Sequence, residues 1–232
     1  DPAPPREPLE RLEVGGLTCR HPASGRGIED VSFTLARGSF TVVTGRIGAG
    51  KTTLLHAVLG LLPATGEVRW NGRVLSERGA FLVPPQCAFT PQVPRLFSES
   101  LGDNLLLGRP DDPATVDEAL RAAVLDDDVA GFERGIHTLV GPRGVKLSGG
   151  QVQRAAAARM FLGQAELLVF DDLSSALDAA TEAELWARLF ARRDHVTCLV
   201  VSHSAAALAR ADQVLTLEDG RLVVDGSWCP RS

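Results

Sequence analysis

Eight residues constrain this chain more than any others: Gly45-Arg46-Ile47-Gly48-Ala49-Gly50-Lys51-Thr52. They follow a short apolar run, Phe40-Thr-Val-Val-Thr44, and lead into an apolar, helix-like segment from Thr52 to Leu62. A strand, a glycine-rich loop and a helix in that order match the spacing G-x-x-x-x-G-K-[ST], in which backbone N–H groups close around phosphate oxygens. The helix N-terminus adds partial positive charge to the same place. Lys51 and Lys146 are the only lysines among 24 basic residues, so a lysine at the position this loop demands is improbable by accident. In this reading Lys51 reaches the β- and γ-phosphates of a nucleoside triphosphate. The Thr52 hydroxyl ligates Mg²⁺, and Thr53 belongs to the same nucleotide-binding stretch.

Composition removes several alternatives. With 232 residues the chain can bury an ordinary core as one large α/β domain or two small ones. No stretch approaches eighteen consecutive apolar residues, so no membrane-spanning helix is expected. A net charge of −5 argues against a duplex-binding surface, and nucleic acid is not expected as a partner. Cys19, Cys87, Cys198 and Cys229 lie far apart without Cys-x-x-Cys spacing, which reads as reduced thiols rather than a zinc site or disulfide framework. The proline-rich opening, residues 1–10, reads as a linker in a longer polypeptide, with the domain proper at 11–232.

Along the chain, Val31, Phe33 and Leu35 alternate as a half-buried strand does. Asn71-Gly72 between two alternating arms signals a type I′ hairpin, and Asp219-Gly220 closes a second one near the end. Residues 93–150 read as a helical subdomain in which Asp126-Asp127-Asp128 forms a solvated surface. Ser148 and Gln151 have capping-box spacing ahead of an alanine-rich helix. Leu167-Leu-Val-Phe170 and Cys198-Leu-Val-Val201 read as parallel strands covered on both faces. Asp171 and Asp172 follow the first, and Ser202 and His203 the second, at the strand ends where ligands of open α/β sheets collect.

A second motif selects among phosphate-loop proteins. Leu147-Ser148-Gly149-Gly150-Gln151 lies about twenty residues ahead of Leu167-Leu-Val-Phe170-Asp171, and the pairing resembles the nucleotide-binding domain of ABC transporters. The resemblance runs from Leu12 to Gly226. It implies an α/β fold: a phosphate-loop core with a parallel sheet, an antiparallel β subdomain and a helical subdomain. It further implies ATP and Mg²⁺ as ligands, with Asp171 on the metal and Gln92 sensing both metal and attacking water. Asp178 is similar to the aspartate of the family's D-loop, and His203 to the switch histidine at the γ-phosphate. From the resemblance, ATP is held between the Lys51 loop of one domain and the Ser148 loop of another in a head-to-tail dimer. Leu96–Leu105 and Thr138–Gly144 look like exporter segments that face a transmembrane domain, here expected to be fused N-terminally. The domain would then sit at the cytoplasmic face of the membrane.

Two departures qualify the match. The family places a glutamate after the metal-binding aspartate, whereas this chain has Asp172, one methylene shorter. Slow hydrolysis is therefore expected, as in the degenerate half of a heterodimeric exporter. A homodimer with a working Asp172 is the competing reading, and retention of His203 favours it. The chain has no tyrosine, and His21 stands where the family commonly stacks a tyrosine on adenine; His21 either stacks there or is a surface loop residue. Two other classes stay open: a regulatory ATP-binding module without turnover, and a soluble ABC ATPase of DNA repair or translation.

Overall fold

The computed structural model describes residues 5–21, 25–141, 144–191 and 196–225. Pro142 and Arg143 of the second exporter-like stretch, Gly226 and Cys229 lie outside the described residues. In chain order the elements are β1 (Arg11–Arg20), β2 (Gly27–Ala36), β3 (Phe40–Thr44), α1 (Lys51–Val58), β4 (Thr65–Trp70), β5 (Arg73–Val74), α2 (Arg78–Phe81) and β6 (Cys87–Thr90). Then come α3 (Leu101–Leu106), α4 (Pro113–Ala122), α5 (Asp126–Ala130), α6 (Gly149–Leu162), β7 (Leu167–Asp171), α7 (Ala179–Ala191), β8 (Thr197–Val201), α8 (Ala205–Leu208), β9 (Gln213–Glu218) and β10 (Arg221–Asp225). Among the described residues no helix is long and apolar enough to cross a membrane.

Two compact units result. The first is built from the described residues of Asp1–Phe89, Ala165–Asp172 and Asp194–Ser232. It carries an antiparallel sheet in the order β2-β1-β4-β5 and a six-stranded sheet in the order β10-β9-β3-β8-β7-β6. β3 lies between β8 and β9 and runs parallel to both, as β7 does to β8. Strands β7 and β8 are buried at every position, the burial their unbroken apolar runs require. In β2 the alternation is regular: Val31, Phe33 and Leu35 point inward, while Ser32 and Thr34 face solvent. Asn71 (φ 52°) and Gly72 (φ 81°) make the expected primed turn, as do Asp219 (φ 47°) and Gly220 (φ 83°). α1 is shorter than its apolar run, because the Leu61 and Leu62 N–H groups both turn back to the His56 carbonyl.

The stretch read as a linker is held down from Pro5 onward. The Arg6 guanidinium pairs with Glu166 at 2.6 Å, and the Leu9 N–H donates to the other Glu166 oxygen at 3.2 Å. The Gln86 amide donates to the Pro5 carbonyl at 2.6 Å, and Arg73 pairs with Glu7 at 2.6 Å. Leu9 is buried in the unit's hydrophobic core beside buried Glu166, while Pro5, Arg6, Pro8 and Glu10 stay exposed.

The second unit comprises the described residues of Thr90–Gln164 and Leu173–Arg193. The expected helical stretch 93–150 falls inside it, and α6 and α7 extend it. Here Asp126-Asp127-Asp128 departs from the solvated surface expected of it. Only Asp127 is exposed; Asp126 pairs with Arg188 at 3.1 Å and Asp128 with Arg154 at 2.6 Å. Their partners lie on α7 and α6, too far along the chain for a local charge pattern to reveal them.

Candidate functional site

The glycines of the phosphate loop have a steric cause. At Gly45 (φ 139°) a Cβ would stand 2.1 Å from the Leu217 carbonyl oxygen of β9, so the loop leaves β3 along a path that no side chain allows. Gly50 (φ 103°) caps α1, and its carbonyl accepts from the Leu54 N–H at 2.8 Å. Ala49 is buried, and its carbonyl accepts from the Gly220 N–H at 3.1 Å. Arg46 and Ile47 at the tip are exposed, Ile47 fully. A cavity of about 290 Å³ opens at the start of α1 between His21, Arg26, Gly27, Gly48, Gly50, Lys51, Thr52 and Thr53.

Charge concentrates at this cavity. The Lys51 ammonium donates to the Gly45 and Arg46 carbonyls at 2.7 and 3.0 Å, folded back on its own loop. Burial lowers its pKa, and the Asp172 and Asp171 carboxylates oppose that shift. Asp171, at the end of β7, is almost wholly buried. Burial raises its pKa; a hydrogen bond with the Thr52 side chain and the nearby His56 and Lys51 oppose the rise, while Asp172 adds to it. Asp172 follows at φ 51°, with its N–H on the Val201 carbonyl at 3.1 Å. His203, exposed after β8, brings Nδ1 to 3.4 Å from the Thr44 hydroxyl. His21 is exposed, and its Nε2 lies 3.3 Å from the Thr53 hydroxyl of α1, at the edge of the cavity.

The residues present suit a hard divalent cation. Thr52 and Asp171 offer a hydroxyl and a carboxylate already joined by a hydrogen bond. Among the described residues no cluster of three His, Cys, Asp or Glu could hold a metal by itself. That donor set matches Mg²⁺, which takes one or two protein oxygens and completes its shell with phosphate and water.

The buried carboxylate predicts a stability effect with a definite sign. Because Asp171 has a raised pKa in the folded chain, the unfolded chain ionises first, and this group's contribution to stability is lost as pH rises through that interval. Asp171→Asn removes the buried charge. It should raise the melting temperature of the nucleotide-free chain by about 2–4 °C at pH 7, the shift that roughly 1 kcal/mol produces at this size. The gain should shrink at pH 4. A lowered melting temperature at pH 7 would contradict it.

The other expected site residues belong to the second unit. Ser148 caps α6 in a complete capping box: the Gln151 N–H donates to Ser148 Oγ at 3.2 Å, and the Ser148 N–H donates to Gln151 Oε1 at 2.8 Å. Ser148 and Gly149 are exposed, and Leu147 is half-buried. At Gly150 a Cβ would stand 3.0 Å from the Ala176 carbonyl, in the 3₁₀ turn Leu173–Ala176. The Gln92 carbonyl accepts from the Gln153 amide at 3.4 Å. The exposed Asp178 carboxylate accepts from the Ala180 and Thr181 N–H groups and the Thr181 hydroxyl at 3.1, 2.9 and 2.7 Å. Those bonds, that of the Thr181 N–H foremost, lower its pKa. It thus also caps the start of α7, a role that Asp-x-x-Thr spacing could have suggested. Sequence reasoning missed Arg26 as a cavity residue, which the β1–β2 pairing brings there together with the bond from the His21 N–H to its carbonyl at 2.8 Å.

Residues 28–175 match the family model described as ABC transporter. The chain is 36% identical over 230 residues to an ATP-dependent lipid A-core flippase of Burkholderia thailandensis, covering 95% of this chain and 38% of the flippase. It is 30% identical to the probable multidrug resistance ABC transporter ATP-binding/permease protein YheI of Bacillus subtilis, covering 98% of this chain and 40% of YheI. Among solved structures, a bacterial Atm1-family ABC exporter with ATP bound superposes with a TM-score of 0.87 at 29% identity, covering 98% of this chain and 40% of the exporter. This chain thus spans about two-fifths of the length of each. Both the motif order and these likenesses lead to one assignment: the chain belongs to the ABC transporter family, as its ATPase domain.

Proposed function

We propose that this chain is the ATP-driven motor domain of an exporter, working as a head-to-tail pair with a second such domain at the cytoplasmic face of a membrane. The observation that carries the reading is the joining of Thr52, Asp171 and Lys51 under one glycine-rich loop, with Asp172 and His203 at the neighbouring strand ends. The relatives' names supply the exporter part. ATP enters the cavity by its phosphates, and Lys51 leaves the Gly45 and Arg46 carbonyls to donate to phosphate oxygens. Thr52 and Asp171 would hold Mg²⁺, which would neutralise phosphate charge. Asp172 orients a water whose oxygen attacks the γ-phosphorus in line. The bond from that phosphorus to the bridging oxygen breaks, ADP keeps the electron pair, and the water's proton ends on phosphate. His203 donates to the γ-phosphate, and Ser148, Gly149 and Gly150 donate from the second domain.

A face for the membrane partner exists on the helical unit. Phe97 and Leu107 are 58% and 49% exposed and line a groove of about 550 Å³ with Glu99, Asp103, Leu106 and Arg109. Asn104 holds that face in shape, since its side chain exchanges hydrogen bonds with both the Phe97 N–H and carbonyl. The shortened Asp172 carboxylate makes turnover slow, which suits the weak half of a heterodimer.

The test is nucleotide-driven association measured by sedimentation. With MgATP the purified chain should shift from monomer to dimer, and with MgADP it should remain monomeric. A chain that stays monomeric at every nucleotide concentration, both alone and mixed with a second ABC ATPase domain, would overturn the reading. Tight, salt-sensitive binding of nucleic acid would replace it with the soluble repair or translation class.

A further inference from the structure

We infer that Asp128 is a positioning residue for the anion-binding start of α6, acting through the Gln151 amide. The inference rests on the reading that Ser148, Gly149 and Gly150 meet a nucleotide held by a second domain.

The argument turns on what each group can donate and accept. A carboxylate only accepts, whereas a primary amide has an accepting end and a donating end. Asp128 Oδ1 accepts from Gln151 Nε2 at 2.8 Å, and Asp128 Oδ2 accepts from Arg154 Nη1 at 2.6 Å. With its NH₂ committed to Asp128, the Gln151 amide must present Oε1 in the other direction, where it accepts from the Ser148 N–H at 2.8 Å. Reversing the amide would set its NH₂ against the Ser148 N–H and its oxygen against the Asp128 carboxylate. Asp128 therefore selects the amide orientation that completes the capping box. The box in turn decides what Ser148 offers to solvent. Its Oγ is occupied as an acceptor by the Gln151 N–H, which leaves the hydroxyl proton free to point outward from an exposed side chain. A hydroxyl fixed as an outward donor, beside the N–H groups at a helix start, suits a phosphate oxygen.

Arg154 steadies the same assembly from below. Its Nη1 also donates to the Val124 carbonyl, and its Nε lies 3.4 Å from the Gly150 carbonyl. Its side chain is 14% exposed and that of Asp128 is 22% exposed, so the pair is largely shielded from water. The charge of Asp128 is balanced locally and does not cancel the positive end of α6.

A charge-swapped pair separates positioning from folding. In Gln151→Glu two carboxylates face each other at positions 128 and 151, and no amide NH₂ remains to answer Asp128. In the double variant Asp128→Asn/Gln151→Glu, the Asn amide NH₂ donates to Glu and its oxygen still accepts from Arg154, while the other Glu oxygen accepts from the Ser148 N–H. The concentration midpoint of MgATP-driven self-association is the readout, with MgATP affinity at dilution and melting temperature measured beside it. Ser148→Ala and Gln151→Glu should each raise the midpoint about tenfold, the effect of one charge-assisted hydrogen bond. The double variant should return to within about twofold of wild type, and MgATP affinity at dilution, set by the chain's own phosphate loop, should stay unchanged throughout. If Ser148→Ala weakens association but the double variant recovers nothing, Asp128 is not a positioning residue and the two-domain reading survives. If Ser148→Ala has no effect, the two-domain reading itself fails.

Discussion

Replacing Asp172 with glutamate is expected to raise ATP turnover of the chain about a hundredfold, with MgATP affinity unchanged. Asp172 stands one residue after buried Asp171 at the end of β7, and its negative charge opposes the burial that lowers the Lys51 pKa. In the proposed mechanism what it lacks is reach. One methylene moves a carboxylate by about 1 Å, and a misplacement of that size costs on the order of a hundredfold in rate, or about 2.7 kcal/mol of barrier. In the head-to-tail pair proposed above, each site would be completed by Ser148, Gly149 and Gly150 of the other copy, which every copy carries. A homodimer of the variant therefore has two full sites. The measurement is phosphate release by wild type and variant at concentrations that support association. Equal rates would show that Asp172 is a working catalytic residue and would favour a homodimer.

The backbone adds a second expectation to that experiment. Asp172 has φ 51°, in the left-handed region, where Asp and Asn are several-fold enriched over other side chains. Glutamate lacks the short polar side chain that eases this conformation, so the faster variant should also melt slightly lower.

How much was legible depended on whether the cause of a feature is local. The phosphate loop was readable because the backbone path beside Leu217 excludes a side chain at Gly45, and only glycine reports that in sequence. The capping box and both primed turns are likewise three- or four-residue events. The Asp126–Asp128 run was misread because its meaning lies on other helices: Arg154 and Gln151 are more than twenty positions away, and a run of acids looks the same whether solvated or paired. The opening segment shows the same limit. Its prolines suggest a linker, yet Leu9 is buried and Glu166, its anchor, stands 157 residues on. Asp172 was legible as a departure, but its left-handed backbone was not, since nothing in the sequence alone fixes φ at that position.

Lys51→Ala is expected to abolish the thermal response of the chain to MgATP while leaving its fold intact. In the folded chain the ammonium serves only two loop carbonyls, Gly45 at 2.7 Å and Arg46 at 3.0 Å, among the bonds described for it. Both carbonyls are in reach of solvent, so removing their donor should cost about 1 kcal/mol or less. The loss to nucleotide is larger, because Lys51 and the exposed Arg26 are the Lys and Arg side chains that line the cavity among the described residues. A charge-assisted bond to each of two phosphates amounts to at least about a hundredfold in affinity. For wild type at ligand a hundred times its dissociation constant, binding stabilises the fold by about 2.7 kcal/mol, or roughly 5–10 °C at this size. The variant at the same ligand concentration sits near its own dissociation constant and should gain about 0.4 kcal/mol, close to nothing in a melting curve. Asp171 supplies the internal control. Lys51 holds the Asp171 pKa down, so in the variant that carboxylate should rise further and Asp171→Asn should stabilise the Lys51→Ala chain more than it stabilises wild type. A variant that keeps the full MgATP shift would place nucleotide binding elsewhere than the Lys51 loop and would remove the basis for the motor function.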